Sequence, residues 1–342
     1  MIGANIIKKY SSSLKKLVFP VLKLARVLNE YDIRVCWELN MMCNFRCPYC
    51  FQLLEHRKNP SMMDQKDTKK AIDFFMNLDK KCLIIMSGGE PFLYPNFIDL
   101  CKKISKKHYI RIATNLSSPL VYEFAKKMDP KKISIHVTLH ITEIERLNLK
   151  KEIIKKIKIL KEKGFTVYAF AVMWPPILER FEDIYSEFKK HEIIIKQLNF
   201  VGYYNQKLYP GAYTEEETKK MIYFENLFGK DNNDKNIEPI QKVTPLKRTP
   251  EEMFKGQLSF KGLPCLAGKN FLWIRYNGDV KRCSDTPLEL GNIYKNNVKL
   301  LDKPLICDGG VCSCKANGLE YALGKPRIIT SKEERPLENQ TN

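Results

Sequence analysis

Cys43, Cys47 and Cys50 place three thiols within eight positions, in the stretch MMCNFRCPYCFQ from Met41 to Gln52. Thiolates are protein ligands for zinc and iron and the nucleophiles of disulfide exchange. Three chemistries compete for this C-x3-C-x2-C spacing. A structural zinc site closes with four ligands, and the nearest histidine, His56, lies beyond the loop. A redox dithiol would use Cys47 and Cys50 of C-P-Y-C and leave Cys43 without a role. A four-iron, four-sulfur cluster held by three thiolates keeps its fourth iron open to a ligand.

A second group follows far downstream. Cys265 and Cys283 bracket CLAGKNFLWIRYNGDVKRC, whose apolar FLWI arm and NG dipeptide predict a β-hairpin with a type I′ turn that brings the two thiols together. CDGGVCSC then adds Cys307, Cys312 and Cys314. A cluster and a four-thiolate zinc ion both suit such a hairpin. The remaining Cys36, Cys82 and Cys101 fall in predicted strand or helix and read as buried apolar residues. Eleven cysteines without a signal peptide point to metal binding in a reducing cytoplasm.

The elements that position these residues alternate regularly. Apolar runs at 33–39, 82–86, 109–113, 133–140, 165–172 and 193–200 predict strands, and helices are predicted near 64–78, 95–105, 119–128, 149–163 and 177–190. That rhythm predicts an α/β fold, a partial (β/α)6 TIM-like barrel with a small C-terminal domain for the second cysteine group. The first cysteine loop then sits at the C-terminal end of the first strand, where such barrels carry chemistry. SGGEP, Ser87 to Pro91, ends the second strand, and Ala113 to Asn115 ends the third. Ser134, His136, Thr138 and His140 share one strand face by their even spacing. The predicted organisation is a basic amphipathic extension over 1–32, the barrel over 33–202, a connecting segment over 203–262, the auxiliary cysteine domain over 263–324 and a charged tail over 325–342.

CNFRCPYC resembles the signature of radical S-adenosylmethionine (radical SAM) enzymes, and SGGEP falls where that family has its glycine-rich turn. The resemblance implies a SAM-binding [4Fe-4S] cluster on Cys43, Cys47 and Cys50. It also implies cofactor contacts from Tyr49, from Gly88, Gly89 and Glu90 to the methionine amino group, and from Asn115, Thr138 and His140. The downstream group is similar to the twitch and SPASM extensions of the same family. One auxiliary [4Fe-4S] cluster is implied, on Cys265, Cys283, Cys312 and Cys314, with Cys307 left as a structural thiol or a hydrogen donor; a set using Cys307 and Cys312 with one of the CxC thiols free is the alternative.

Enzymes with this resemblance cleave SAM to a 5′-deoxyadenosyl radical that removes a hydrogen atom from substrate. Twitch enzymes acting on sugars and aminocyclitols imply oxidation or epimerisation of a carbohydrate-type small molecule, nucleotide-linked or free, with a flavodoxin or ferredoxin as electron donor. Two other readings stand beside this one: modification of RNA or of a peptide, and a non-catalytic electron-transfer protein. About thirty residues precede the first strand, which argues against a leader-peptide domain and so against a peptide substrate. The net charge of +19 invites nucleic acid, but the lysines are spread as pairs such as Lys69–Lys70, Lys102–Lys103 and Lys155–Lys156, which predicts a solvated basic surface. Ile6 to Leu28 alternates Leu and Val with Lys at helical spacing, so a cytoplasmic protein with a helix packed on the domain or resting on an anionic membrane is expected.

Overall fold

A computed structural model describes residues 31–50, 52, 58, 68–231, 257–310, 312, 322 and 327–329. The amphipathic stretch 6–28, Cys314 and most of the charged tail lie outside the described residues. No helix among the described residues is long and apolar enough to cross a membrane.

Six parallel strands form the frame: β1 (Ile33–Asn40), β2 (Cys82–Gly88), β3 (Tyr109–Thr114), β4 (Ile133–Leu139), β5 (Thr166–Met173) and β6 (Ile195–Asn199). They pair in sequence order, each with the next. Parallel strands need crossovers, and these are α1 (Thr68–Asn77), α2 (Phe97–Ile104), α3 (Leu120–Lys127), α4 (Ile141–Arg146), α5 (Lys150–Glu162), α6 (Pro175–Leu178) and α7 (Phe181–Lys189). Alternation along each strand sends one set of side chains outward under the helices. Ile33, Val35, Trp37 and Leu39 of β1, Ile84 and Met86 of β2, and Ile133, Ile135 and Val137 of β4 are all buried there. The other set points to the concave inner face. The sheet stays open, as expected for a partial barrel, because among the described residues β6 pairs with β5 alone.

Three short strand pairs and a helix follow β6. The first pair is the hairpin β7 (Gly202–Tyr204) and β8 (Lys207–Tyr209), and α8 (Glu215–Asp231) comes next. The others join β9 (Gln257–Ser259) to a late strand at Arg327–Ile329, and β10 (Pro264–Cys265) to Leu305–Ile306. Between them, β11 (Phe271–Ile274), β12 (Asp279–Lys281) and β13 (Glu289–Asn292) extend the main sheet. β11 lies parallel against the free edge of β1, with Cys36 opposite Trp273, so nine strands run β13-β12-β11-β1-β2-β3-β4-β5-β6. The edge of β1, which an open barrel would leave unpaired, is thereby covered.

Local structure departs from the expected pattern in three places. The hairpin turn between β11 and β12 is not type I′: Gly278 has φ +85° while Asn277 stays out of the left-handed region, and Arg275 N–H donates to Asp279 O at 2.9 Å. This is a turn closed by one left-handed glycine, where a Cβ would meet the Tyr294 ring at 2.3 Å. The predicted helix 177–190 is split into α6 and α7. Lys156 leaves the predicted solvated surface: Lys155 is exposed, but one position on, 100° round α5, Lys156 is 1% exposed.

Lys156 Nζ donates to Leu116 O at 3.2 Å and Ser117 O at 2.8 Å and lies 3.5 Å from Glu152. It thus pins the segment after β3 to α5. Burial lowers its pKa, and Glu152 opposes that shift. Lys156→Met keeps the stem but strands one buried and one half-buried carbonyl, so unfolding by urea should show a loss of about 2 kcal/mol.

Candidate functional site

The first cysteine loop leaves β1 at Asn40 and is held from three sides. The glycine-rich turn of β2 holds its start: Gly89 N–H donates to Asn40 O and Glu90 N–H to Met42 O, both at 2.7 Å. A Cβ on Gly88, at φ +111°, would lie 2.2 Å from Asn40 O, and one on Gly89 would lie 1.8 Å from Met42 O. The two glycines are therefore required by the approach of the loop's own backbone. The end of β3 holds the middle. Asn115 Nδ2 donates to Asn44 Oδ1 at 3.1 Å and sits 3.8 Å from Cys43 Sγ, while Asn44 Nδ2 reaches Ser117 Oγ at 2.7 Å. The third side is α4, where the buried Glu143 accepts from Arg46 N–H at 2.8 Å and from Arg146 Nε and Nη2 at 2.9 and 2.8 Å. The paired Arg146 holds the Glu143 carboxyl below its ordinary range.

Glu90 is 1% exposed and faces inward to its own scaffold. Its Oε1 accepts from Phe92 N–H at 3.0 Å and Thr114 Oγ1 at 2.7 Å, and its Oε2 accepts from Asn115 N–H at 2.7 Å. Burial pushes the carboxyl up to about 7, against the pull of those three donors and of Lys156.

An aromatic cluster stands beside the thiols. Tyr49 stacks on His140 with centroids 5.8 Å apart, their Oη and Nδ1 share a hydrogen bond at 3.1 Å, and Trp174 lies 5.5 Å from Tyr49. His140 is the residue capping α4 instead of the last of β4. Burial drops its pKa to about 4, so the imidazole is neutral at pH 7. Burial and the neighbouring Cys47 and Cys50 raise the Tyr49 phenol, which stays protonated. Thr138 is half-buried on the inner face opposite Phe170. Glu143, Trp174 and Arg282 carry structure at the two cysteine groups that the sequence patterns did not single out; the only signal for the first was the Glu143–Arg146 spacing of a helical pair.

Arg282 organises the second group. It is 2% exposed, and its guanidinium donates to Ala267 O at 3.0 Å, Cys265 O at 3.2 Å and Ile306 O at 2.9 Å, with Leu305 O as a fourth acceptor. Burial raises the Cys265, Cys283 and Cys307 thiols, Arg282 pulls Cys265 and Cys307 back, and Cys312 acts on all three. The described residues thus converge Cys265, Cys283, Cys307 and Cys312, with Cys307 inside the group.

Among the described residues no three Cys, His, Asp or Glu side chains are drawn close enough to hold an ion as they stand. The donor chemistry nevertheless fits iron-sulfur clusters: thiols outside any disulfide, on one loop at the first site and on neighbouring segments at the second, N–H donors aimed at Cys43 Sγ from Phe45 at 3.5 Å and from Asn115, and a cation beside each group, Arg146 at the first and Arg282 at the second.

Two outcomes follow. Because the folded pKa of Glu90 is raised from 4.5 to about 7, its contribution to stability is complete below pH 4.5 and is lost as pH rises to 7. Relative to Glu90→Gln, the native chain should lose up to about 3 kcal/mol between pH 4.5 and 7.5 in paired urea titrations. Arg282→Met removes the donor from two buried and two half-buried carbonyls, and should cost about 3 kcal/mol and lower iron uptake by the second cysteine group, read by iron counting after anaerobic reconstitution.

Residues 37–188 match the Radical SAM superfamily. Uncharacterized protein MJ0907 of Methanocaldococcus jannaschii is 35% identical over 108 residues, 30% of this chain; the chain spans only 36% of that relative's length. MJ1227 of the same organism, provisionally named a glycyl-radical enzyme activating enzyme, is 26% identical over 195 residues, covering 52% of this chain and 75% of that protein. The solved structure of native anSMEcpe with bound AdoMet superposes with a TM-score of 0.55 at 16% identity over 78% of this chain and 79% of that one, a likeness of fold. The matched span runs from β1 through α7 and encloses the cysteine loop, so this part of the chain is a radical SAM domain.

Proposed function

We propose that the chain is a radical SAM oxidoreductase or epimerase that takes a hydrogen atom from a carbohydrate-type small molecule, nucleotide-linked or free. The observation that carries this reading is the position of Cys43, Cys47 and Cys50. They sit on one clamped loop at the C-terminal ends of the strands, beside an inner face whose residues on β3 to β6 are half-buried and open to a ligand. When bound, the cluster and SAM supply reductive carbon-sulfur cleavage and a 5′-deoxyadenosyl radical. The chain's own part is to hold three thiolates, stack Tyr49, His140 and Trp174 against a flat ring, and keep a substrate in the half barrel away from water.

Cys265, Cys283, Cys307 and Cys312 are proposed as the ligands of one auxiliary [4Fe-4S] cluster, against the expected set with Cys314. The apolar cluster of Cys265, Cys283 and Cys307 with Cys36, Leu83 and Ile85 supports a position next to the inner wall. An electron acceptor there suits oxidation of a substrate alcohol, and an external flavodoxin or ferredoxin would supply the initiating electron. A peptide substrate is the second reading, favoured by the fold neighbour anSMEcpe, also solved with a Cp18Cys peptide.

Anaerobically reconstituted native protein should hold about eight irons, and Cys283→Ala about four. Cys47→Ala should abolish 5′-deoxyadenosine formation under reductant; full cleavage by that variant would overturn the assignment. A screen of sugars, nucleotide sugars and peptides, read by substrate-dependent 5′-deoxyadenosine, separates the two substrate classes.

A further inference from the structure

The concave face is filled unevenly. On β1 and β2 it is sealed by the buried Cys36, Leu83 and Ile85, which pack with Cys265 and Phe271. On β3 to β6 the inward side chains Arg111, His136, Tyr168, Phe170 and Lys196 are half-buried. Register places Arg111 opposite Ser134 and Lys196 opposite Phe170. The His136 ring lies 5.3 Å from Tyr168 and 5.1 Å from Phe170.

This wall is cationic. Arg34, 8% exposed and bonded to Tyr31 Oη at 3.3 Å, enters from β1. Beyond the effect of burial, Arg111, Arg34 and Lys196 all bear on His136 and hold it neutral. Against these three cations stand Glu38, on the inward side of β1, and Glu225, 3.9 Å from Lys196. Ser134, 2% exposed, has its Oγ buried with no hydrogen-bond partner among the described residues, and the same holds for His136 Nε2. A hydroxyl and an imidazole buried without partners are costly unless something else bonds to them. Donors beside clustered positive charge fit one class of partner, an anion with several acceptor oxygens.

We propose that this inner wall binds the anionic group, a carboxylate or a phosphate, of the substrate. Arg111, Ser134 and His136 are its direct donors, Arg34 and Lys196 add long-range attraction, and Tyr168 and Phe170 flank the attached carbon skeleton. The assignment rests on the proposed function for the place where substrate enters, and it concerns recognition alone.

Full-length reconstituted protein is titrated with sodium phosphate and, separately, with sodium acetate, at ionic strength held constant with sodium chloride, and binding is followed by calorimetry and thermal shift. Saturable binding of one anion by the native chain is expected. Arg111→Gln should weaken it about tenfold or more and Ser134→Ala measurably, while the exposed Lys131→Gln leaves it unchanged. Preference for phosphate or for acetate identifies which group the substrate carries. Absence of saturable binding, or equal binding by native, Arg111→Gln and Ser134→Ala proteins, overturns the proposal; if Arg111→Gln does not fold, Ser134→Ala and Lys196→Met decide it. SAM cleavage is measured on the same samples. Cleavage without anion binding removes this inference alone, and anion binding without cleavage removes the proposed function alone.

Discussion

The buried carboxylate of Glu90 is the constraint on which the first cysteine loop depends. It accepts from the end of β3 at Thr114 and Asn115 and from its own turn at Phe92, while its backbone N–H holds Met42 of the loop. One residue therefore fixes the C-terminal ends of β1, β2 and β3 relative to each other. The two glycines before it make this approach sterically feasible, because a side chain at either position would collide with Asn40 or Met42. The GGE sequence is thus explained by the scaffold before any ligand is invoked. Since its carboxylate is already engaged by three donors, the methionine amino group expected at Glu90 would have to share those oxygens or be met by nearby backbone.

β1 connects the two cysteine groups. Its C-terminal end opens into the loop of Cys43, Cys47 and Cys50, and its edge carries β11 of the downstream hairpin. Pairing that edge does two things at once. It removes an unsatisfied ladder from the open barrel, and it sets Cys265, Cys283 and Cys307 in one apolar cluster with Cys36 and Ile85 of the inner wall. Arg282 completes the arrangement by bonding the carbonyls of segments that flank Cys265 and Cys307. A buried cation there compensates thiolate charge that burial disfavours.

The parts legible in the sequence were those with local signatures. Six apolar runs, the spacing of three thiols and the glycine turn each report a short stretch of chain, and β1 to β6 lie within a few residues of their expected bounds. The parts that escaped were long-range. Glu143 contacts a backbone N–H 97 positions away, and Arg282 serves carbonyls from two segments; neither residue type nor spacing announces such a partner. The hairpin turn was misread for a related reason. NG fits two turn types, and the choice was settled by Arg275 bonding across to Asp279, with Gly278 taking the one left-handed position.

Charge shows most clearly what a fold adds to a composition. A net +19 suggests a generic basic surface, and Lys69, Lys70, Lys102 and Lys103 are indeed exposed on helix faces, where water and salt screen them. Alternation along the strands sends Arg34 and Arg111 the other way, onto the inner face, where a partly buried charge acts more strongly than on the surface. Burial first, and then these cations, holds the His136 pKa low. If the inner wall binds an anionic group as proposed, recognition is governed less by the number of lysines than by the few cations that strand geometry turns inward.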